Sequence, residues 1–239
     1  LAQPGASAIV NLEVLADADA VARRAAAVIA AHAREAIAIK GRFVFAVSGG
    51  TTPWAMLRAL ADEDVPWAGV HVLQVDERVA PAGDAKRNLT HLHDSLLEHT
   101  PLAREQIHAM AVEDPDLGAA AARYARKLSE LAGTPAVLDL VHLGLGPDGH
   151  TASLVPGDPV LDVADVDVAL TGGLYQGTRR MTLTYPAIDR ATRVLWLVTG
   201  AEKVGMLARL MAGDRSIPGG RVRADRASVL ADRAAAPPR

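Results

Sequence analysis

Asp148 and His150 place a carboxylate and an imidazole two positions apart, in the segment Leu143-Gly144-Leu145-Gly146-Pro147-Asp148-Gly149-His150-Thr151-Ala152-Ser153-Leu154. Histidine is the side chain whose ordinary pKa lies nearest neutrality, so it can accept a proton and return it within one reaction cycle. The glycines let the backbone turn tightly and approach a ligand closely. The apolar stretch ahead of them, within 138–143, reads as a buried strand. A strand ending in a glycine turn that carries Asp and His is where an α/β protein places proton-transfer chemistry.

Three further loops carry groups suited to an anionic, electrophilic substrate. Ser48-Gly49-Gly50-Thr51-Thr52-Pro53 offers hydroxyl and N–H donors at the start of a helix, whose unpaired donors and dipole attract anions. A glycine turn with an ordinary N-cap would use the same residues. No Gly-Lys-Ser/Thr follows, so this is not a Walker A loop. Asp76-Glu77-Arg78 follows a strand, with Lys86, Arg87 and Asn88 shortly after. Arg78 could stabilise a developing oxyanion, although a solvated, salt-bridged loop is the commoner fate of such a triplet. Arg180 precedes an alternating strand, and Lys203 falls in the first turn of a helix, where a cation opposes the dipole unless an anion sits between.

The elements that must position these groups follow from pattern. Strands are expected at 9–12, 43–47, 70–75, 107–110, 138–143, 166–170, 181–184, 194–198 and 227–230. Helices are expected at 17–37 (N-cap Asp17 or Asp19, stop at Gly41), 53–60 (N-cap Thr52), 88–97 (capped by Asn88), 116–131 and 201–211, with a frayed tail over 234–239. Alternating strands and helices without a linker or repeat predict an α/β fold: a single-domain, mainly parallel, Rossmann-like sheet with helices on both faces. In such folds ligands sit beyond the carboxyl ends of the strands. That rule gathers the loops after Val47, Val75, Leu143 and Val198 into one place.

Composition narrows the function class. In 239 residues, 50% are hydrophobic but only 3% aromatic, so Ala, Val and Leu must build the core. A formal charge of −3 with no basic stripe argues against nucleic acid as partner. Cysteine is absent, which removes disulfides and thiol chemistry. No apolar run suits a membrane span and the start lacks a signal-peptide pattern, so the expectation is a cytoplasmic protein, monomeric or weakly homo-oligomeric. No metal motif is present: His91 and His93 are two apart on a helix and face different ways. The remaining histidines, 32, 71, 99, 108 and 142, read as core or surface residues. Gly144-x-Gly146-x-x-Gly149 has dinucleotide-binding spacing, but Pro147, Pro156 and Pro159 leave no room for the helix that such a site needs. Ser48 and Ser153 lie outside any nucleophile elbow.

Taken together, Ser-Gly-Gly-Thr-Thr-Pro (48–53), Asp-Glu-Arg (76–78) with Asn88, Gly-x-Gly-x-Asp-Gly-His-Thr-Ala-Ser-Leu (144–154), Arg-x-Thr-Leu-Thr (180–184) and Gly-Ala-Glu-Lys (200–203) resemble the 6-phosphogluconolactonases of the glucosamine-6-phosphate isomerase/6-phosphogluconolactonase family. The resemblance runs in order along nearly the whole chain. It implies a carboxylic ester hydrolase that opens 6-phospho-D-glucono-1,5-lactone, the second step of the oxidative pentose phosphate pathway, with no cofactor and no metal. The related deaminases continue their loop Ile-Ala-Phe-Asn-Glu-Pro, with the Glu assisting ring opening. This chain has Val155 there, and Arg78 where many deaminases carry tyrosine. Lactonases often have Phe at the Val155 position, a packing difference. On this resemblance Ser48, Gly49, Gly50, Thr51, Thr52, Arg180 and Lys203 would hold the phosphate. His150 would be the general base, with Asp148 or Asp76 orienting it or the water, and Arg78 would face the oxyanion. An amino-sugar phosphate deaminase or isomerase, or a non-catalytic sugar-phosphate sensor, is the alternative.

Overall fold

A computed structural model describes residues 11–236. The order is β1 (Asn11–Leu15), α1 (Ala18–Lys40), β2 (Phe43–Val47), α2 (Thr51–Ala61), β3 (Val70–Gln74), β4 (Asp76–Arg78), α3 (Asn88–Ser95), β5 (Ile107–His108), α4 (Leu117–Ala132), β6 (Leu140–Gly144), β7 (Val168–Leu170), β8 (Arg180–Leu183), α5 (Tyr185–Asp189), β9 (Val194–Val198), α6 (Val204–Met211) and β10 (Ala227–Asp232). Seven strands form one sheet in the order β1-β10-β9-β6-β2-β3-β5, and every pairing in it is parallel.

The five-residue apolar run of β2 shows why a central parallel strand does not alternate between apolar and polar residues. Phe43, Phe45 and Val47 pack with Ala22, Ile29 and Met56 of α1 and α2 on one face. Val44 and Ala46 pack on the other with Tyr124 and Leu128 of α4. Both faces are covered by helices, so both must be apolar. In α1, Val21, Ala22, Ala25, Ala26, Ile29, Ala30 and Ala33 make the buried stripe, with the three- and four-residue spacing of a helix laid on a sheet. Asp17 caps it by accepting from the Ala20 N–H at 2.8 Å, and Gly41 ends it.

After β2 the chain runs outward to β3 and β5, whereas β6 returns on the other side of β2 and leads to β9 and β10. The β2–β6 junction is therefore the topological switch point, where loops leave in opposite directions and open a crevice.

Several expectations are corrected. β4, β8 and β7 form a separate three-stranded antiparallel sheet at the carboxyl end of the main one. The N-cap of α2 is Gly50 and not Thr52. Asn88 is the first residue of α3 and its side chain does not cap it; the Glu77 carboxylate accepts from the Asn88 and Leu89 N–H groups instead, at 2.7 and 2.8 Å. The C-terminal part is not frayed through 236: Ala235 is fully buried and donates to Asp232 at 2.8 Å. Residues 9 and 10 of the expected first strand and 237–239 of the tail lie outside the described residues. Among the described residues, no helix is long and apolar enough to cross a membrane.

Candidate active site

A cavity of about 400 Å3 opens at the switch point. Ser48, Gly49, Gly50, Thr51 and Thr52 line it from the end of β2, Asp76 and Arg78 from β4, Gly144, Gly146, Pro147 and His150 from the end of β6, Arg180 from β8, and Lys203 from beyond β9. Of the candidate residues, only Asp148 stands behind this lining. A larger cavity, about 530 Å3, lies at the opposite end of the strands near Asn11 and Leu140. Its position at the strand amino ends, away from the loops after β2, β6 and β9, makes the smaller one the candidate site.

The Asp-Gly-His segment is built by local rules. Gly146 to Gly149 close a β-turn, with a 3.0 Å bond from the Gly149 N–H to the Gly146 carbonyl and proline in second place. Asp148 Oδ1 then accepts from the His150 N–H at 3.1 Å, a side-chain turn favoured by aspartate. The same oxygen lies 2.6 Å from His150 Nδ1. The two-residue spacing lets one carboxylate fix both the backbone and the ring of His150. Partial burial would push the Asp148 carboxyl up. Hydrogen bonds from the His150 ring and backbone and from Tyr175 outweigh it and hold the group below its ordinary value. Asp148 is thus the ionised acceptor, Nδ1 carries the proton, and Nε2 is left as the basic nitrogen. Gly146 is required by contact: a Cβ there would lie 1.9 Å from His150 Nδ1.

Strand alternation sorts the Asp-Glu-Arg triplet. Asp76 and Arg78 line the cavity, while Glu77 points away and is completely buried. Asp76 does not touch His150. Its Oδ2 accepts from Ser153 Oγ at 2.6 Å and its Oδ1 from Asn88 Nδ2 at 3.3 Å. Glu77 accepts from Gln74 Nε2, the Arg78 N–H and the α3 N-terminus, and pairs at 3.1 Å with the buried Arg87 in a contact too bent to be a hydrogen bond. The triplet is thus not a solvated loop. It is half wall of the cavity and half internal anchor.

The loop after β2 is held from below. His142, fully buried in β6, accepts from the Ser48 N–H at 3.2 Å and its carbonyl accepts from Ser48 Oγ at 3.0 Å. Burial lowers the His142 pKa to about 3, so the ring stays neutral and remains an acceptor. The Ser48 hydroxyl therefore supports the loop, whereas Gly50, at φ +132, turns the chain into α2. No side chain caps α2 and its first turn has no acidic residue, which leaves its N–H groups for a guest. Thr52 Oγ1 meets Thr199 Oγ1 at 2.7 Å, tying this loop to the one after β9. Lys203 ends a short 3-10 turn, Ala201–Lys203, before α6.

Arg180 is nearly inaccessible, and burial, then Arg78, press its pKa below its ordinary value against the pull of Asp76. The Nε atoms of both arginines are buried without a hydrogen-bond partner among the described residues. Two guanidiniums, Arg180 buried and Arg78 half-buried, face one cavity beside an uncapped helix start, an arrangement suited to an anion.

Tyr175 and Gln176 escaped the sequence reading. They sit on a hairpin tip between β7 and β8, with Gln176 at φ +52 and Gly177 at φ +79 and a bridge between Tyr175 and Thr178. Two positive φ values in a row are the two-residue hairpin geometry usually signalled by Asn-Gly. Gln-Gly between Tyr and Thr was the available cue. Gln176 and Ala152, the described non-glycine residues at positive φ, both line the cavity.

Comparison with known proteins agrees with this architecture. The family model described as glucosamine-6-phosphate isomerases/6-phosphogluconolactonase matches residues 16–231. The 6-phosphogluconolactonase of Nostoc sp. is 36% identical over 206 residues, covering 84% of this chain and 85% of that protein. That of Mycobacterium tuberculosis is 35% identical over 213 residues, covering 85% and 86%. The crystal structure of 6-phosphogluconolactonase from Thermotoga maritima superposes with a TM-score of 0.83 at 25% identity, covering 93% of this chain and 98% of that one. By sequence, fold and the arrangement of its loops, the chain belongs to the glucosamine-6-phosphate isomerase/6-phosphogluconolactonase family.

Proposed function

We propose that the protein is a 6-phosphogluconolactonase, hydrolysing 6-phospho-D-glucono-1,5-lactone to 6-phosphogluconate with His150 as general base. The observation that carries the mechanism is the His150–Asp148 contact at 2.6 Å on the wall of a cavity that Arg78 and the buried Arg180 also line. The relatives named 6-phosphogluconolactonase supply the substrate.

The lactone is an ester with a phosphate at the far end. The phosphate sits against the 48–52 loop and the α2 start, with Arg180 and Lys203 as counter-charges. His150 Nε2 takes a proton from water as its oxygen attacks C1. Arg78 stabilises the oxyanion. As the tetrahedral adduct collapses, the bond from C1 to the ring oxygen breaks and His150 returns the proton to that oxygen, which becomes a hydroxyl. The new carboxylic acid then ionises and releases one proton per turnover. Asp148 holds the ring and its tautomer, and Asp76, on the cavity wall, would orient the water. The general base contributes about 10²–10⁴-fold, and anchoring through the phosphate adds to it. Neither serine serves as nucleophile: Ser48 Oγ donates to the His142 carbonyl and Ser153 Oγ to Asp76.

A buried Val155 in place of the deaminases' glutamate favours the lactonase over amino-sugar chemistry. Presenting the purified protein separately with freshly generated lactone and with glucosamine 6-phosphate tests the reading. Faster lactone opening with no ammonia release supports it. Ammonia release, or binding of phosphosugar with no turnover, overturns it in favour of a deaminase or a sensor.

A further inference from the structure

The hairpin between β7 and β8 brings an aromatic side chain against the Asp148–His150 pair, behind the cavity wall. Its base is fixed: Asp158 accepts from the Gly172 and Gly173 N–H groups at 2.9 and 3.0 Å, and Arg180 N donates to Thr171 Oγ1 at 3.0 Å. At its tip the Tyr175 hydroxyl lies 3.0 Å from Asp148 Oδ2 and 3.2 Å from His150 Nδ1. The Tyr175 ring meets the His150 ring edge-on, at 5.1 Å between centroids and 64° between planes. The Arg180 guanidinium covers the Tyr175 ring at 4.9 Å from its centroid, and Arg180 Nη2 also donates to the Tyr175 carbonyl at 3.4 Å.

These contacts occupy both oxygens of Asp148: Oδ1 by His150 and Oδ2 by the tyrosine. Burial first, and then the neighbouring carboxylate, raise the Tyr175 pKa, so its hydroxyl keeps its proton and donates. We infer that Tyr175 is a positioning residue, which clamps the Asp148–His150 pair from the hairpin and braces it against the anion-binding Arg180. The inference rests on the catalytic reading of His150 given above. Donation from the tyrosine draws part of the Asp148 charge away from the imidazole and limits how strongly the carboxylate favours imidazolium. The bond also stops the carboxylate swinging off Nδ1. On the other face of the ring, a substrate phosphate that engages Arg180 presses the guanidinium onto Tyr175, so the base is held in place when the site is filled.

Tyr175→Phe removes the hydroxyl and keeps the ring beneath Arg180. A net hydrogen-bond contribution of ordinary size predicts a fall in kcat of about 2- to 10-fold. The same loss moves the acidic limb of the kcat/KM profile upward by roughly 0.5 to 1 pH unit. KM stays near wild type in this variant and rises in Tyr175→Ala, where Arg180 loses its platform. Leu174→Ala, at the exposed neighbour on the same tip, leaves these values unchanged. The other charged groups lining the cavity, Asp76, Arg78, Arg180, Glu202 and Lys203, are the same in every variant.

The deciding experiment is an NMR titration of the His150 ring in wild type and Tyr175→Phe, its signals assigned by their loss in His150→Ala. An upward shift of the ring titration in the phenylalanine variant supports the inference. An unshifted titration overturns it, whether or not kcat falls, because a merely structural tyrosine would lower activity or melting temperature without changing the imidazole. This readout needs no turnover. A wild type that leaves the lactone untouched would sink the proposed function while the titration still decides the role of Tyr175.

Discussion

Arg78 and Arg180 stand directly opposite each other in the register of β4 and β8, and both line one cavity. Like charges in that relation destabilise a sheet, and the cost is greater when a guanidinium is as buried as Arg180. The repulsion is relieved when an anion arrives. Arg180→Met should therefore raise KM at least about tenfold, the loss expected for a charge-assisted hydrogen bond. In the absence of ligand it should raise the melting temperature by roughly 2–4 °C, if removing an unpaired buried charge gains about 1 kcal/mol. Steady-state kinetics and a thermal melt check the two halves. A variant with wild-type KM would remove Arg180 from the phosphate site.

Gly146 tests the proposed base without altering its chemistry. Alanine there sets a methyl carbon 1.9 Å from His150 Nδ1, so the ring must leave Asp148. Displacement of a catalytic group by about 1 Å can cost on the order of 10²-fold in rate. Gly146→Ala should lose at least that much kcat while its circular dichroism spectrum stays that of the wild type. Full activity would mean that the ring need not sit where it does.

Glu77 is expected to matter for stability first. It joins Gln74, Arg87 and the start of α3, and removing it leaves the buried Arg87 with only the more distant, half-exposed Glu113 as a carboxylate partner. Breaking a buried pair from one side costs about 3–5 kcal/mol. Urea unfolding of Glu77→Ala should show a loss of that order, far more than breaking an exposed pair such as Lys127–Glu130.

His142 predicts a pH dependence of folding. Its pKa is about 3 in the folded chain because of burial, against an ordinary 6.5. Between those values the unfolded chain binds a proton here and the folded chain does not, so stability falls as pH drops from 6.5 towards 3. The slope from this one group reaches about 1.4 kcal/mol per pH unit. His108, lowered to about 4 by burial and by His71, acts in the same direction. Urea midpoints measured across this range should change less steeply in His142→Asn, whose amide oxygen can still accept from Ser48. An identical slope would contradict the assignment.

Much of this was legible in the sequence because the informative signals are local. The run 43–47 shows a doubly covered strand, Asp17 and Gly41 bracket α1, and the Asp-Gly-His spacing carries its own turn. What escaped depends on contacts between distant segments. Tyr175 is unremarkable beside Arg180 in sequence and meets Asp148 only because the hairpin folds over the β6 loop. Nothing near Asn88 reveals that its N–H is met by a glutamate eleven residues earlier. Thr52 has the right type for an N-cap, but Gly50 at positive φ starts the helix before it and Thr52 bonds across to Thr199. The small antiparallel sheet was hidden for the same reason: three residues at Asp76–Arg78 form too short a run to show a period.

The central claim is lactone hydrolysis through His150, and it is tested most directly by following proton release from freshly generated 6-phospho-D-glucono-1,5-lactone. Wild type and His150→Ala are each compared with the spontaneous reaction. Acceleration by wild type that drops by about 10²–10⁴-fold in the variant is the predicted result. Acceleration that survives the substitution would contradict His150 as the base, and no acceleration by folded wild type would contradict the function itself.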